Sequence, residues 1–220
     1  MSQIYTILFD LDGTIIDTAP DIMAAHNHVM KKFGYKEKKL SDIKSLAGKG
    51  AWVMMQRSFK QEIADENIKK KMVKEFLDFY SKNIDKESRP IAGIVNFLKW
   101  AKSENISSAV CTNKQERLAT DLLKKLKLFD FFEYVAGCDT FEYNKPDPRH
   151  LTSVVEIIGG NLKKTIMVGD SEVDSDSAYN ANLPFILVDN GYTEKTSKEI
   201  KHNFLIKDFN NFDEIIKKCL

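Results

Sequence analysis

An unbroken apolar run, Ile4-Tyr5-Thr6-Ile7-Leu8-Phe9, stands near the start of the chain and predicts a fully buried strand. From Asp17 the pattern turns helical. Asp17-Thr18-Ala19-Pro20-Asp21 supplies capping residues, an early proline and an acidic first turn. Ile22, Ala25, Val29 and Phe33 follow at helical spacing, and Gly34 stops the helix. Ser41 opens a second short piece, broken at Gly48-Lys49-Gly50, and helix resumes through Trp52, Val53 and Phe59. Asp65 caps a longer helix whose apolar stripe is Ile68, Met72, Phe76 and Phe79 or Tyr80. Nothing from Asp17 to about Glu87 alternates like a strand, so residues 17–87 read as a small, purely helical insert.

Beyond Arg89-Pro90 helices and strands alternate. Ile91, Ile94, Leu98 and Ala101 mark a helix, Ile106–Thr112 a strand, and Glu116–Lys127 a helix striped by Leu118, Leu122, Leu123 and Leu126. Phe131–Gly137 reads as a strand, Pro148–Ile158 as a helix ended by Gly159-Gly160, and Thr165–Val168 as a strand. Asp174–Ala181 is a helix, Pro184–Val188 a last buried strand, and Phe212–Lys218 a closing helix. The alternation predicts an α/β fold with a parallel sheet covered on both faces. Ligands of such sheets bind beyond the carboxyl ends of the strands.

Composition adds exclusions. With 220 residues, 43% hydrophobic and 30% charged, the chain can build one large domain, or a domain plus an insert. A net charge of +1 gives no case for nucleic acid or an anionic membrane surface. No apolar run approaches the ~18 residues of a membrane span, and no signal peptide is evident. Cys111, Cys138 and Cys219 are few and irregularly spaced. They fit a reducing compartment, without a disulfide framework or CxxC metal site, and a cytoplasmic location is expected.

Four polar clusters fall just after predicted strands. They are Asp10 and Asp12 ahead of Gly13; Thr112-Asn113; Lys145 in Asn144-Lys145-Pro146-Asp147-Pro148; and Gly169-Asp170-Ser171-Glu172-Val173-Asp174. Each has a bland reading: a polar loop, a helix cap, a solvated lysine, a turn. Together they would line one edge of the sheet. Asp10 and Asp12 stand two residues apart, so they can project to one side. Close carboxylates repel unless a cation sits among them, and Mg²⁺ suits hard oxygen ligands and a phosphate. Phosphoryl transfer needs this set. Asp10 would attack phosphorus, Asp12 would act as acid and base, and Lys145 would neutralise charge. Asp170 and Asp10 would bind Mg²⁺, with Asp174 holding the metal or its waters. Thr112 and Asn113 would donate to phosphate oxygens.

The set resembles the haloacid dehalogenase superfamily, phosphatase branch, over nearly the whole chain. The resemblance implies a Rossmann-like core, residues 1–16 and 88–220, and a helical cap, residues 17–87. It also implies an aspartyl-phosphate intermediate and the Asp12 carbonyl as a further metal ligand. Within the superfamily the match is to the phosphoglycolate phosphatases. It rests on Asp17-Thr18-Ala19-Pro20-Asp21 with Asn27, Leu46-Ala47-Gly48-Lys49-Gly50, Thr112-Asn113-Lys114, Lys145-Pro146-Asp147-Pro148, Val168-Gly169-Asp170-Ser171 and Gly191-Tyr192. Cys138, Glu172 and Asn182 depart from that pattern. Gly48, Lys49 and Gly50 are candidate substrate contacts, since glycine lets backbone approach and Lys49 or nearby N–H groups could meet a carboxylate. Trp52 and Trp100 are expected in packing, and the four histidines in structural or surface roles. The implied partner is a small phosphorylated metabolite, and the implied assembly a monomer or homodimer. The alternatives are a related phosphatase or pyrophosphatase, a sugar phosphomutase and a phospho-aspartate signalling module. Ile22 stands where the mutase pattern has histidine, and a signalling receiver lacks a partner to its nucleophile like Asp12.

Overall fold

A computed structural model of the protein describes residues 5–48, 50–59, 65–189 and 191–219, the last without its side chain. In chain order the elements begin with β1 (Thr6–Phe9), β2 (Ile16–Asp17), α1 (Ala19–Lys32), α2 (Ile43–Leu46), α3 (Gly50–Ser58) and α4 (Glu66–Asn83). They continue with β3 (Arg89–Pro90), α5 (Ile94–Ser103), β4 (Ser107–Cys111), α6 (Glu116–Lys125), β5 (Tyr134–Ala136) and α7 (Arg149–Ile157). The last are β6 (Thr165–Gly169), α8 (Glu172–Asn180), β7 (Phe185–Val188), β8 (Phe204–Ile206) and α9 (Phe212–Cys219).

Six strands form one parallel sheet in the order β5-β4-β1-β6-β7-β8. Side chains alternate across it as strand geometry requires. Ile7, Phe9, Val110, Val168 and Ile186 join one apolar cluster, with Leu98 and Leu122 from α5 and α6. Leu8, Ala109, Cys111, Met167 and Leu187 join the other, with Leu151, Val154 and Ala178 from α7 and α8. The three-layer α/β core is thus built from strands apolar on both faces. β1 sits between β4 and β6, with Phe9 in register with Val110 and Val168. Residues that follow these strands therefore emerge side by side.

Two strand expectations need correction. Pro184–Val188 is not the last strand, because β8 adds a sixth, edge strand beside β7. Its three residues are too few to show a period, and Phe204 and Leu205 are exposed. The expected strand over Phe131–Gly137 is β5 alone, preceded by a 3₁₀ turn at Phe129–Phe131.

The four helices α1–α4 pack on one another, and their buried faces join the first cluster through Met23, Met55, Met72 and Phe76. A two-stranded antiparallel ribbon ties the ends of this helical segment, Ile16 facing Pro90 and Asp17 facing Arg89. The helical pattern assigns Asp17 to the purely helical insert, but two-residue strands carry no pattern. Buried Asp21 fixes the same junction, accepting from the Glu87 and Ser88 N–H groups and the Ser88 hydroxyl. Asp65 caps α4 as expected, accepting from Asn67 N at 2.8 Å. Asn182 follows α8 with φ +56°, a left-handed conformation that asparagine tolerates better than most residues. Its departure from glycine thus costs little.

Candidate active site

Asp10 follows β1, Thr112 follows β4 and Asp170 follows β6, so three parallel strands bring them to one edge of the sheet. Oxygens of Asp10, Asp170 and Asp174 lie within 4.8 Å of one another, all buried. Lys145 reaches in from the loop before α7. Its Nζ donates to Asp10 Oδ1 at 2.7 Å and Asp174 Oδ1 at 2.6 Å, with 2% of the side chain exposed.

Each acid is held by named donors. Asp170 accepts from the Thr14 hydroxyl at 3.0 Å and from Tyr192 N. A Cβ at Gly13 would lie 2.7 Å from Asp170 Oδ2, and one at Gly191 closer still. Those two glycines leave room for the carboxylate. Asp174 Oδ2 accepts from the Ser171 hydroxyl and N–H, closing the first turn of α8 as a capping box. Asp12 lies apart from the three acids. Its carboxylate receives Lys114 Nζ at 2.8 and 2.7 Å and the Thr18 hydroxyl at 2.8 Å. Thr18, a capping residue by position, makes no side-chain cap bond to α1.

Burial, and then crowding, raises Asp10 and Asp170. Burial pushes the Asp10 carboxyl up to about 6 despite Lys145, and the Asp174 charge adds to the rise. Burial, then the charges of Asp174 and Asp10, holds Asp170 well above the ordinary carboxylate range. For Lys145, burial works downward, but the two carboxylates outweigh it and hold the ammonium above its usual value. One lysine among three buried acids leaves a net anionic nest. That donor set, hard oxygens close together, fits a divalent cation.

The remaining candidates fall around a cavity of about 300 Å³ that Asp10 and Asp12 share with the helical segment. Gly48, Gly50, Thr112 and Asn113 line it. Lys49 lies outside the described residues. Thr112 is buried and its hydroxyl oxygen accepts from Lys114 N. Asn113 donates its amide to Lys145 O at 3.1 Å and Gly48 O at 3.4 Å, linking two of the predicted clusters to the Gly48 turn. Trp52 is not core packing: it is 40% exposed and forms part of the cavity wall. The histidines take structural places; His26, for example, meets the Ser58 hydroxyl at 2.7 Å between α1 and α3.

Sequence reasoning assigned no role to Lys114, Thr14 or Tyr192. The Tyr192 hydroxyl accepts from Thr18 N and Ala19 N at 2.7 Å each and donates to Asp17 at 2.6 Å. One residue thus joins Asp170 to the start of α1. Glu172 helps hold that loop, accepting from the Thr193 hydroxyl.

A family model for haloacid dehalogenase-like hydrolases matches residues 7–188. The chain belongs to that family. This haloacid dehalogenase-like hydrolase is 37% identical over 205 residues to a phosphoglycolate phosphatase of Mesorhizobium japonicum, spanning 92% of this chain and 90% of the relative. It is 39% identical to one of Agrobacterium fabrum, over 92% and 88% of the two chains. Among solved structures, a predicted phosphoglycolate phosphatase from Haemophilus somnus 129pt has the same fold. Its TM-score is 0.91 at 24% identity, covering 98% of this chain and 99% of that one. The family and α/β core expected from the motifs are therefore borne out. Among the described residues of this hydrolase, no helix is long and apolar enough to cross a membrane.

Proposed function

We propose that the protein hydrolyses 2-phosphoglycolate to glycolate and phosphate, with Mg²⁺ as cofactor. The observation that carries this reading is the meeting of Asp10, Asp170 and Asp174 with Lys145 at the sheet edge, beside Asp12. Asp10 is the nucleophile and forms a phospho-aspartate. Asp12 gives a proton to the departing glycolate oxygen and takes one from the water that cleaves the intermediate. Lys145 neutralises Asp10 and the phosphoryl oxygens as they approach. Thr112 and Asn113 bind phosphate, and Gly48 and Gly50 bring backbone close to the leaving group.

Asp10, Asp170, Asp174 and the Asp12 carbonyl would hold the Mg²⁺. When bound, the ion supplies positive charge against a phosphate dianion that the acids alone would repel. Residues 17–87 act as a cap that excludes water, and residues 1–16 and 88–220 form the catalytic core. Buried Ile22 faces the cavity without a proton-carrying group, which favours hydrolysis over the mutase reading. The protein works in the cytoplasm, as a monomer or homodimer.

The test is a panel of small phosphate esters, compared by kcat/KM with Mg²⁺ and with chelator. 2-Phosphoglycolate is expected to lead, and chelator to abolish turnover until Mg²⁺ is restored. Failure to release phosphate from any monoester in Mg²⁺ would end the proposal.

The acids also predict a coupling of metal and pH. A carboxyl raised in the fold contributes stability that is full below its unfolded value of 3.8 and lost as pH rises through about 6. His150, held down to about 4 by burial and then by the Lys145 charge, acts oppositely as pH falls below 6.5. The metal increment separates the two. Mg²⁺ should raise the melting temperature clearly at pH 8 and little at pH 5, where Asp10 and Asp170 bind protons instead. Calorimetric scans showing equal increments at both pH values would count against these ligands.

A further inference from the structure

Lys114 is a buried charge that the proposed chemistry leaves unused. Its side chain is 5% exposed, and its ammonium lies 4.7 Å over the centre of the Tyr80 ring. Among the described residues that line the cavity, the cationic side chains are Lys145 and Lys114. Lys145 is committed to Asp10 and Asp174. Lys114 bonds both oxygens of Asp12, and an ammonium has three donors. Two bonds to Asp12 therefore leave one for a ligand.

Its placement is rigid. Lys114 O accepts from Cys138 N at 2.9 Å, and Lys114 N donates to the Thr112 hydroxyl oxygen. At neighbouring Gly137 an added Cβ would collide with Glu116 N and Lys114 O, so the two loops are pressed together. The helical segment contributes an apolar part of the lining, through Trp52, Val73, Phe76 and Leu77. A negative charge on the leaving group thus meets Lys114, the described cation of the lining that is not bound to Asp10 and Asp174, next to the residue that protonates the ester oxygen.

We propose that Lys114 is the subsite for the substrate carboxylate, selecting phosphate esters that carry an anion one carbon from the ester oxygen. This rests on the reading of Asp12 as proton donor and of 2-phosphoglycolate as substrate. Asp12 touches the ester oxygen, and Lys114 touches Asp12. In 2-phosphoglycolate a single methylene separates that oxygen from the carboxylate. A short substrate therefore spans both groups, and a longer one carries its charge past Lys114 toward the apolar lining. Lys114 serves as a specificity residue, and Tyr80 keeps its ammonium turned toward Asp12.

The experiment compares 2-phosphoglycolate with its carboxamide, which has the same shape and lacks only the carboxylate charge. Wild-type protein is expected to favour the acid about 30-fold in kcat/KM, mostly through KM, as for a charge-assisted hydrogen bond. Lys114→Met should shrink that preference to about 3-fold or less by weakening only the acid. Lys49→Met should keep it. Taking the ratio within one preparation cancels any misfolded fraction, and Lys114→Gln is read in the same way if the methionine variant is insoluble. A preference that survives in both Lys114 variants, with both substrates slowed together through kcat, would make Lys114 a prop for Asp12 and overturn the subsite, leaving 2-phosphoglycolate as substrate. The subsite is overturned equally if Lys49→Met erases the preference. A wild-type enzyme indifferent to the charge would overturn both readings.

Discussion

Asp10→Asn is expected to lower kcat on the order of 10⁴-fold or more, the scale seen when a covalent nucleophile is removed. The amide keeps the size of the carboxylate, but its neutral oxygen is a far weaker nucleophile toward phosphorus. The loss should appear equally with 2-phosphoglycolate and with p-nitrophenyl phosphate. The second ester has a good leaving group, so its departure needs little help from Asp12 as an acid, whereas its dependence on Asp10 is undiminished. Stability should move the other way. Asp10 is a buried acid raised to about 6 by burial, so at pH 8 the amide relieves crowding with Asp174 and Asp170. A variant that melts no lower than wild type and releases no phosphate would separate chemistry from folding. A variant retaining a tenth of wild-type turnover on p-nitrophenyl phosphate would show that another group attacks.

Much of the core was legible because its strands are apolar on both faces. Ile7-Leu8-Phe9, Ala109-Val110-Cys111 and Ile166-Met167-Val168 announce buried strands, and the polar residues that follow them, Asp10, Thr112 and Asp170, inherit one sheet edge. What local pattern cannot carry is a contact between distant segments. Lys114 is one basic residue among 33, and its burial against Asp12 depends on a fold that joins positions 102 residues apart. Tyr192 sits in a loop with no period, yet its N–H and hydroxyl link Asp170 to the start of α1. Thr18 reads as a helix cap because capping is local, whereas its hydroxyl serves Asp12 instead. β8 escaped for a simpler reason: three residues, two of them exposed, offer neither an apolar run nor an alternation.

Lys145→Met is expected to damage fold and chemistry together, by an amount that depends on pH. The lysine side chain is 2% exposed, as is that of Asp174, while Asp10 is 11% exposed. Removing one partner from such pairs costs about 3–5 kcal/mol, because the remaining charges stay buried and unpaired. Asp10 then loses the cation that holds its carboxyl down, and rises further. A carboxyl raised in the fold costs most at high pH, so the deficit should be largest near pH 8 and shrink toward pH 5, where Asp10 and Asp170 take protons. Denaturant melts of the metal-free protein at both pH values read this directly. Adding Asp174→Asn removes one of the stranded charges and should recover part of the stability, since residues that share a partner do not behave additively. Turnover should not recover with it: Asp10 and the phosphoryl group still approach each other without the Lys145 charge, and restored folding cannot supply one. A double variant that regained both stability and activity would show that Lys145 acts by holding the acids apart. A Lys145→Met deficit equal at pH 5 and pH 8 would mean that the acids do not govern the loss.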